Sequence, residues 1–367
     1  MKNTYPLYYK NFRCIADRCP DTCCAGWGIV VDSDSAEKYS LAKGAIGEKL
    51  RRSITVDSDG DTVFICQNRR CPFLLESNLC EIYIELGKES LCKTCTLFPR
   101  FITDLGSRKE TGISLSCPEA ARLIFASSEP IEFETVEEES PIQPNCIDPT
   151  LYFTLIGAQK TAINILQNRK FPIERRLIAF LRYCEAVQKN IRLGICNKID
   201  VSDELFSLVT ASDSQAKRNL GGIFKLLESL ERLDPEWSEA LDTARKTAFE
   251  YSADFSDVFC ENEWESEHLS VYFAFRYFMT AAFDGDLLSK AKFTVFSVIA
   301  CTLLAASHPD FSDRSCRIEA MRKYSKETEH SAENMDTLFL KMKKSRHFGP
   351  DNLINILSSK YIPHKEK

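Results

Sequence analysis

Cysteine placement constrains this chain more than any other feature. Cys14, Cys19, Cys23 and Cys24 read C-x4-C-x3-CC, Cys71 and Cys80 follow, and Cys92 and Cys95 close the series as C-x2-C. The first histidine is His268. A metal held by this region would be bound by thiolates alone, or nearly so. That donor set favours zinc or an iron–sulfur cluster over magnesium, calcium or histidine-ligated iron. Ten of the 16 cysteines lie at or before Cys117. The other six are scattered and suit the role of small buried hydrophobes.

A chain of 367 residues has room for two domains, or for one with a large extension. Its 44% hydrophobic content supports a real core, and its net charge of -6 argues against nonspecific nucleic-acid binding. The opening MKNTYPLYYKNFRC has no apolar run and is not expected to act as a signal peptide. The most apolar long stretch, Phe293 to Ala306, is short for a bilayer and carries Thr294, Ser297 and Thr302, so a buried helix is expected. These features point to a soluble cytoplasmic protein with no membrane or nucleic-acid partner. In a reducing compartment, clustered cysteines serve metals or redox chemistry more often than structural disulfides.

The texture changes along the chain. Residues 1–125 are cysteine-rich and irregular, as in a small fold nucleated by metal. Helices are expected over Ser35 to Arg52 and Ser116 to Ser127. A hairpin is expected from Ile54-Thr55-Val56 and Val63-Phe64-Ile65 around an Asp-rich turn. Asp57, Asp59 and Asp61 alternate as in a calcium loop, but the distal Glu is missing. Residues 126–149 read as an acidic, Pro-rich linker: EPIEFETVEEE at 129–139 precedes Pro141, Pro144 and Pro149. Residues 150–367 read as an all-helical domain of seven to nine helices. Leu177, Phe180, Leu181, Cys184 and Val187 recur at helical spacing, as do Leu269, Tyr272, Phe273, Arg276 and Tyr277. Asp148-Pro149, Asp234-Pro235 and Ser312-Asp313 offer helix starts. The fold class is therefore mainly α, with a small cysteine-rich metal-binding domain in front.

Cys92 and Cys95 can reach one metal from a single turn, and Cys14/Cys19 and Cys19/Cys23 can do so from loops. Cys23 and Cys24 are neighbours, so at most one of them is expected on a given metal. With Cys117 the candidate thiolates exceed four, which leaves one site using a subset or two sites sharing the set. Spacing does not separate zinc from iron.

The stretch YPLYYKNFRCIADRCPDTCCAGWGIVVD, with Trp27, and the block CPFLLESNLCEIYIELGKESLCKTCTLFPR resemble the flagellin lysine-N-methylase (FliB) family. The second block also resembles a broader group of zinc- or iron-chelating domains. Over Tyr324 to Asn334, YSKETEHSAEN resembles a family segment and singles out Glu329 and His330. The resemblance implies transfer of methyl groups from S-adenosylmethionine to lysine amines of flagellin, in an enzyme with a [4Fe-4S] cluster. The cluster ligands would come from the eight cysteines named first. It tilts the choice of metal from Zn2+ towards iron.

The glycines do not form the strand-to-helix turn that many methyltransferases use for the cofactor; Gly44/Gly47 and Gly221/Gly222 have the wrong spacing. Methylation needs a neutral amine, and a lysine near its ordinary pKa of about 10.4 is nearly all charged at pH 7. Glu329 and His330 are the first candidates to bind or deprotonate it, with Glu267 and His268 second. Arg276, set among aromatics, can hold a carboxylate of the cofactor or a partner, or close a buried ion pair. The alternative reading is a zinc- or iron-stabilised protein-binding module without catalysis.

Overall fold

The computed structural model describes residues 1–25, 28–57, 60–139, 146–195, 197–250 and 262–359. Trp27, Asp59 of the Asp-rich turn, Cys196 and residues 140–145 of the expected linker lie outside them.

Strand β1 (Lys2–Pro6) opens the chain and leads into the cysteine region. That region holds α1 (Ser33–Leu41), α2 (Gly44–Arg52), the hairpin β2 (Ile54–Val56) and β3 (Thr62–Phe64), α3 (Glu81–Leu86) and α4 (Lys93–Leu97). The hairpin pairs Ile54 with Phe64, as expected. The single helix expected over Ser35 to Arg52 is two. The chain turns at Ala42–Gly44, where Gly44 adopts φ +75°, a conformation costly for any residue with a Cβ. Asp32 starts α1 by accepting from the Ser35 amide at 3.2 Å.

After this excursion come β4 (Arg100–Asp104), β5 (Arg108–Ile113), α5 (Pro118–Ile124) and β6 (Phe133–Glu137). The sheet order is β4-β5-β1-β6. β1 runs parallel to β5 and antiparallel to β6.

Within the expected linker 126–149, Phe133–Glu137 of the acidic stretch form the edge strand β6. Its carboxylates meet cations on neighbouring segments: Glu134 pairs with Lys10 at 2.5 Å and Glu138 with Lys109 at 2.6 Å. Phe133 packs on the helical core. An edge strand tolerates such charge because one side of its ladder faces solvent.

The helical body comprises α6 (Pro149–Leu166), α7 (Ile173–Leu193), α8 (Asp213–Glu228), α9 (Trp237–Glu250), α10 (Glu263–Tyr277), the single turn α11 (Ala281–Asp284), α12 (Leu287–Ala306), α13 (Arg314–Glu329), α14 (Ala332–Lys344) and α15 (Pro350–Leu357). Asp148 caps α6 through the Leu151 amide at 2.7 Å with Pro149 at its first position, and Asp313 caps α13 through the Ser315 amide at 2.8 Å. Helix α12 has the length and apolarity of a membrane span, yet 94% of that window is buried inside the fold. It is the central post, touched by α7, α9, α10, α13 and α14.

Two cores result. One is extensive and joins the helices to Leu105, Leu115, Ile124, Phe125 and Ile131 of the sheet layer. The other is small and lies within the excursion, around Leu50, Phe64, Phe73, Cys71 and Cys92. The sheet layer thus shares the large core with the helices, the excursion has its own, and Phe12, Ile113, Cys117, Ala120 and Leu123 form a further small cluster.

Candidate functional site

The cysteines of the amino-terminal region fall into two groups. In the small core, Cys71 and Cys92 pack with Cys24, Cys66, Cys80 and Cys95. Backbone pairing sets this group: the Cys71 amide donates to the Cys24 carbonyl at 2.8 Å, and a bridge joins Leu74 to Cys80. Cys80 and Cys92 each stand immediately before a helix, α3 and α4.

Cys117 packs elsewhere, with Phe12, Ile113, Ala120 and Leu123. Its electrostatic neighbours are Cys19 and Cys14, and those of Cys23 include Cys14 and Cys117. The Cys23 thiol also meets that of Cys24, and Cys95 has both among its electrostatic neighbours, so Cys23 stands where the two groups adjoin.

Cys66 belongs to the first group although the sequence reading left it out of the metal set. A signal was present: Cys66 and Cys71 repeat the C-x4-C spacing of Cys14 and Cys19.

Two thiols are prepared for the thiolate form. Cys24 is lowered to about 7 by the bond from Cys23, against the cost of burial, with help from Thr22 and Arg70. Cys92 is lowered to about 7 by the bond from Cys95. Their partners Cys23 and Cys95 move up for the same reason, because each shares its proton with the neighbouring sulfur. Burial pushes Cys71 up to about 12 and Cys117 up to about 11. A bound cation reverses such shifts, since metal ligation deprotonates a thiol outright.

The donor set fits a thiolate-ligated centre. Among the described residues no three cysteine sulfurs lie mutually within 4.8 Å, so the thiolates do not form a closed zinc tetrahedron as they stand.

Glu329 and Arg276 meet each other. Arg276 Nε lies 3.1 Å from Glu329 Oε1, so the arginine closes an internal ion pair. Glu329 also accepts from Tyr272 at 3.0 Å, from Tyr277 at 2.6 Å and from Ser325, and its side chain is fully buried. Arg276 donates to Ser114 at 3.0 Å and to Tyr272 at 2.7 Å, and its guanidinium stacks 4.7 Å from the Phe101 ring centre. Such a buried pair holds only because every polar atom finds a partner.

His330 caps α13 and bonds Ser116 through Nε2. Burial, then Arg276 and Lys326, push its pKa down to about 3, so the ring is neutral at pH 7.

The segment Ser114–Cys117 joins these features. Ser114 and Ser116 touch Arg276 and His330, the Leu115 amide donates to Tyr272 at 3.1 Å, and the next residue is Cys117. Helix α13 makes a second connection. Arg322 donates to the Ser116 carbonyl at 2.9 Å and to Asp21 at 2.6 Å, and Lys326 reaches Asp21 at 2.7 Å.

Glu267 and His268 are placed apart from this network. Glu267 is fully buried and takes Arg169 at 2.8 Å and Arg176 at 2.6 Å. Both nitrogens of His268 face carbonyl oxygens, Ile124 and Glu129, at 2.9 Å. Glu267 ties helices to one another, and His268 ties its helix to Ile124 and Glu129.

Residues 159–356, more than half of the chain, match the family model described as the FliB lysine N-methylase C-terminal domain. The chain is 29% identical over 128 residues to the flagellar biosynthetic protein FliU of Salmonella muenchen, covering 33% of this chain and 76% of that protein. It is 24% identical over 197 residues to the lysine-N-methylases of Salmonella choleraesuis and Salmonella typhimurium, covering 51% of this chain and 47% of each relative. The chain thus spans about half the length of those lysine-N-methylases. No solved structure matches it.

Proposed function

Since this chain belongs to the FliB lysine N-methylase family, we propose that it methylates lysine side chains of a protein substrate, flagellin, with S-adenosylmethionine as methyl donor. The observation that supports this reading most is the buried Arg276–Glu329 network, whose helices fall within the matched segment and which abuts the cysteine region at Ser114–Cys117.

The reaction joins the lysine nitrogen lone pair to a methyl carbon as the carbon–sulfur bond of the sulfonium breaks. The nitrogen then releases a proton. A charged lysine cannot begin this step, so the site must favour the neutral amine. His330 serves that need by being uncharged at pH 7, because an approaching amine meets no like charge on the ring. Glu329 is saturated by Arg276, two tyrosines and a serine, so it acts as a positioning residue and not as the proton acceptor. Tyr272 and Tyr277 stay protonated, since burial pushes both hydroxyls well up. They remain donors to Glu329 through the whole cycle.

A [4Fe-4S] cluster would be held by thiolates from the group of Cys24, Cys66, Cys71, Cys80, Cys92 and Cys95. When bound it supplies a rigid thiolate-ligated node that exchanges single electrons.

The direct test incubates metal-loaded protein with flagellin and S-adenosylmethionine and weighs the flagellin peptides. Methylation adds increments of about 14 Da per methyl group, and trimethyllysine is the limit for each side chain. A fully loaded protein that binds flagellin but adds no mass would return the chain to a metal-stabilised binding module. A colourless protein with stoichiometric zinc would remove the cluster from the reading.

A further inference from the structure

We propose that Cys14, Cys19, Cys23 and Cys117 form a second thiolate centre, separate from the one in the small core, that takes zinc or an iron–sulfur cluster. This inference depends on the thiolate chemistry of the chain and not on methyl transfer.

The four sulfurs come from two segments almost a hundred residues apart, and one side chain holds both segments. Arg322 donates to Asp21, between Cys19 and Cys23, and to the carbonyl of Ser116, next to Cys117. Lys326 adds two bonds of 2.7 Å to the same Asp21. The Cys19 thiol bonds the Asp21 carbonyl at 3.3 Å, which ties that sulfur to the clamp.

The packing is also distinct. Cys117 lies in an apolar cluster with Phe12 and Ile113, while Cys24, Cys71 and Cys92 lie in another. Four is the number of thiolates that a closed tetrahedral ion or a cubane requires. Four thiolates on a divalent ion carry two negative charges, and Arg322 and Lys326 stand beside the loop that would carry them. The thiols of Cys23 and Cys24 meet, so the two centres would stand side by side with one sulfur of this pair on each, which accounts for thiols in excess of a single site.

Metal and sulfide content of anaerobically purified full-length protein tests this, read with the visible spectrum and far-UV circular dichroism. The variants are Cys14→Ser with Cys117→Ser, Cys92→Ser with Cys95→Ser, and all four together. Each pair is expected to lower the metal per chain without abolishing it, and the quadruple variant to abolish it. Loss of zinc alone, or of iron with sulfide, identifies what the second centre takes. Unchanged metal content after replacement of Cys14 and Cys117, or total loss in either folded pair variant, would overturn the proposal.

A second measurement needs no variant. Cys14 is exposed, so a free thiol there should be alkylated at once. In metal-loaded wild-type protein, peptide mass spectrometry should find Cys14 protected from iodoacetamide until a chelator is added. Alkylation of Cys14 at the rate of an unprotected thiol in the loaded protein would also overturn the proposal.

Discussion

Around Phe73 and Leu50 the cysteine excursion buries a few apolar side chains and surrounds them with sulfur. Around Phe273, Phe293 and Phe296 the helical body buries aromatics from many elements, with α12 enclosed on all sides. In the first region the apolar area is small, and on the proposed thiolate centre metal–thiolate bonds would contribute folding free energy. In the second, close packing suffices and polar groups enter only as matched pairs. On the proposed reading, the contrast is between two units whose stabilities would answer to different variables, metal supply for one and packing for the other.

Metal removal should separate them most strongly. Chelation, or replacement of Cys92 and Cys95 by Ser, should unfold the excursion while the helical melting transition persists, because thiolate–metal bonding contributes on the order of 10 kcal/mol to such small folds. Differential scanning calorimetry with and without chelator reads this; a single transition that collapses entirely on chelation would mean that the two units fold as one. Cys184 and Cys301 are fully buried in the helical body, so their replacement should leave metal content unchanged.

The converse experiment is Phe296→Ala, at a fully buried position. Loss of that ring should cost about 3–5 kcal/mol and lower the helical transition, with metal stoichiometry unaltered.

Glu110 gives a smaller, pH-dependent effect at the seam between sheet and helices. It accepts from Gln159 at 3.0 Å, and burial pushes its carboxyl up to about 7. The unfolded chain releases this proton near the ordinary glutamate value of 4.5. Between those values the folded state holds more protons, so its stability falls as pH rises through the window and the full penalty applies above it. Glu110→Gln should remove that slope and stabilise the protein by about 1–3 kcal/mol at pH 8, measured by urea unfolding at pH 5 and 8. Equal stability changes at the two pH values would contradict the assignment.

The smallest effect belongs to the exposed pair Arg52–Glu48, 2.9 Å apart on α2. Arg52→Ala should leave both transitions in place within error, since exposed helix pairs contribute little.

What could be read in the sequence depended on how local the determining contacts are. The hairpin and the caps Asp148 and Asp313 depend on neighbours a few residues away, and all were anticipated. The closeness of Cys92 and Cys95 could be seen from their C-x2-C spacing; the packing of Cys71 and Cys80 beside them could not. The partners of Glu267 could not: Arg169 and Arg176 lie about a hundred residues upstream, and nothing near Glu267 announces them. Arg276 offered two outcomes, and its pairing with Glu329 depends on how α10 crosses α13. Strand β6 was hidden because glutamate-rich composition dominates the stretch, although Ile131, Phe133 and Val136 alternate loosely within it. Cys117 was visible as an extra thiol, but its grouping with Cys14 requires the return of the chain from β5.

The parallel pairing of β1 with β5 has a consequence for the growing chain. As β1 leaves the ribosome it has no sheet partner until residues 108–113 emerge, and its other edge waits for 133–137. Everything synthesised in that interval belongs largely to the cysteine excursion. Acquisition of metal by the nascent chain would therefore precede closure of the sheet, shortening the span that β1 must bridge. An organism short of the metal would leave β1 unpaired on both edges, open to the wrong strands, for as long as the excursion stays unfolded.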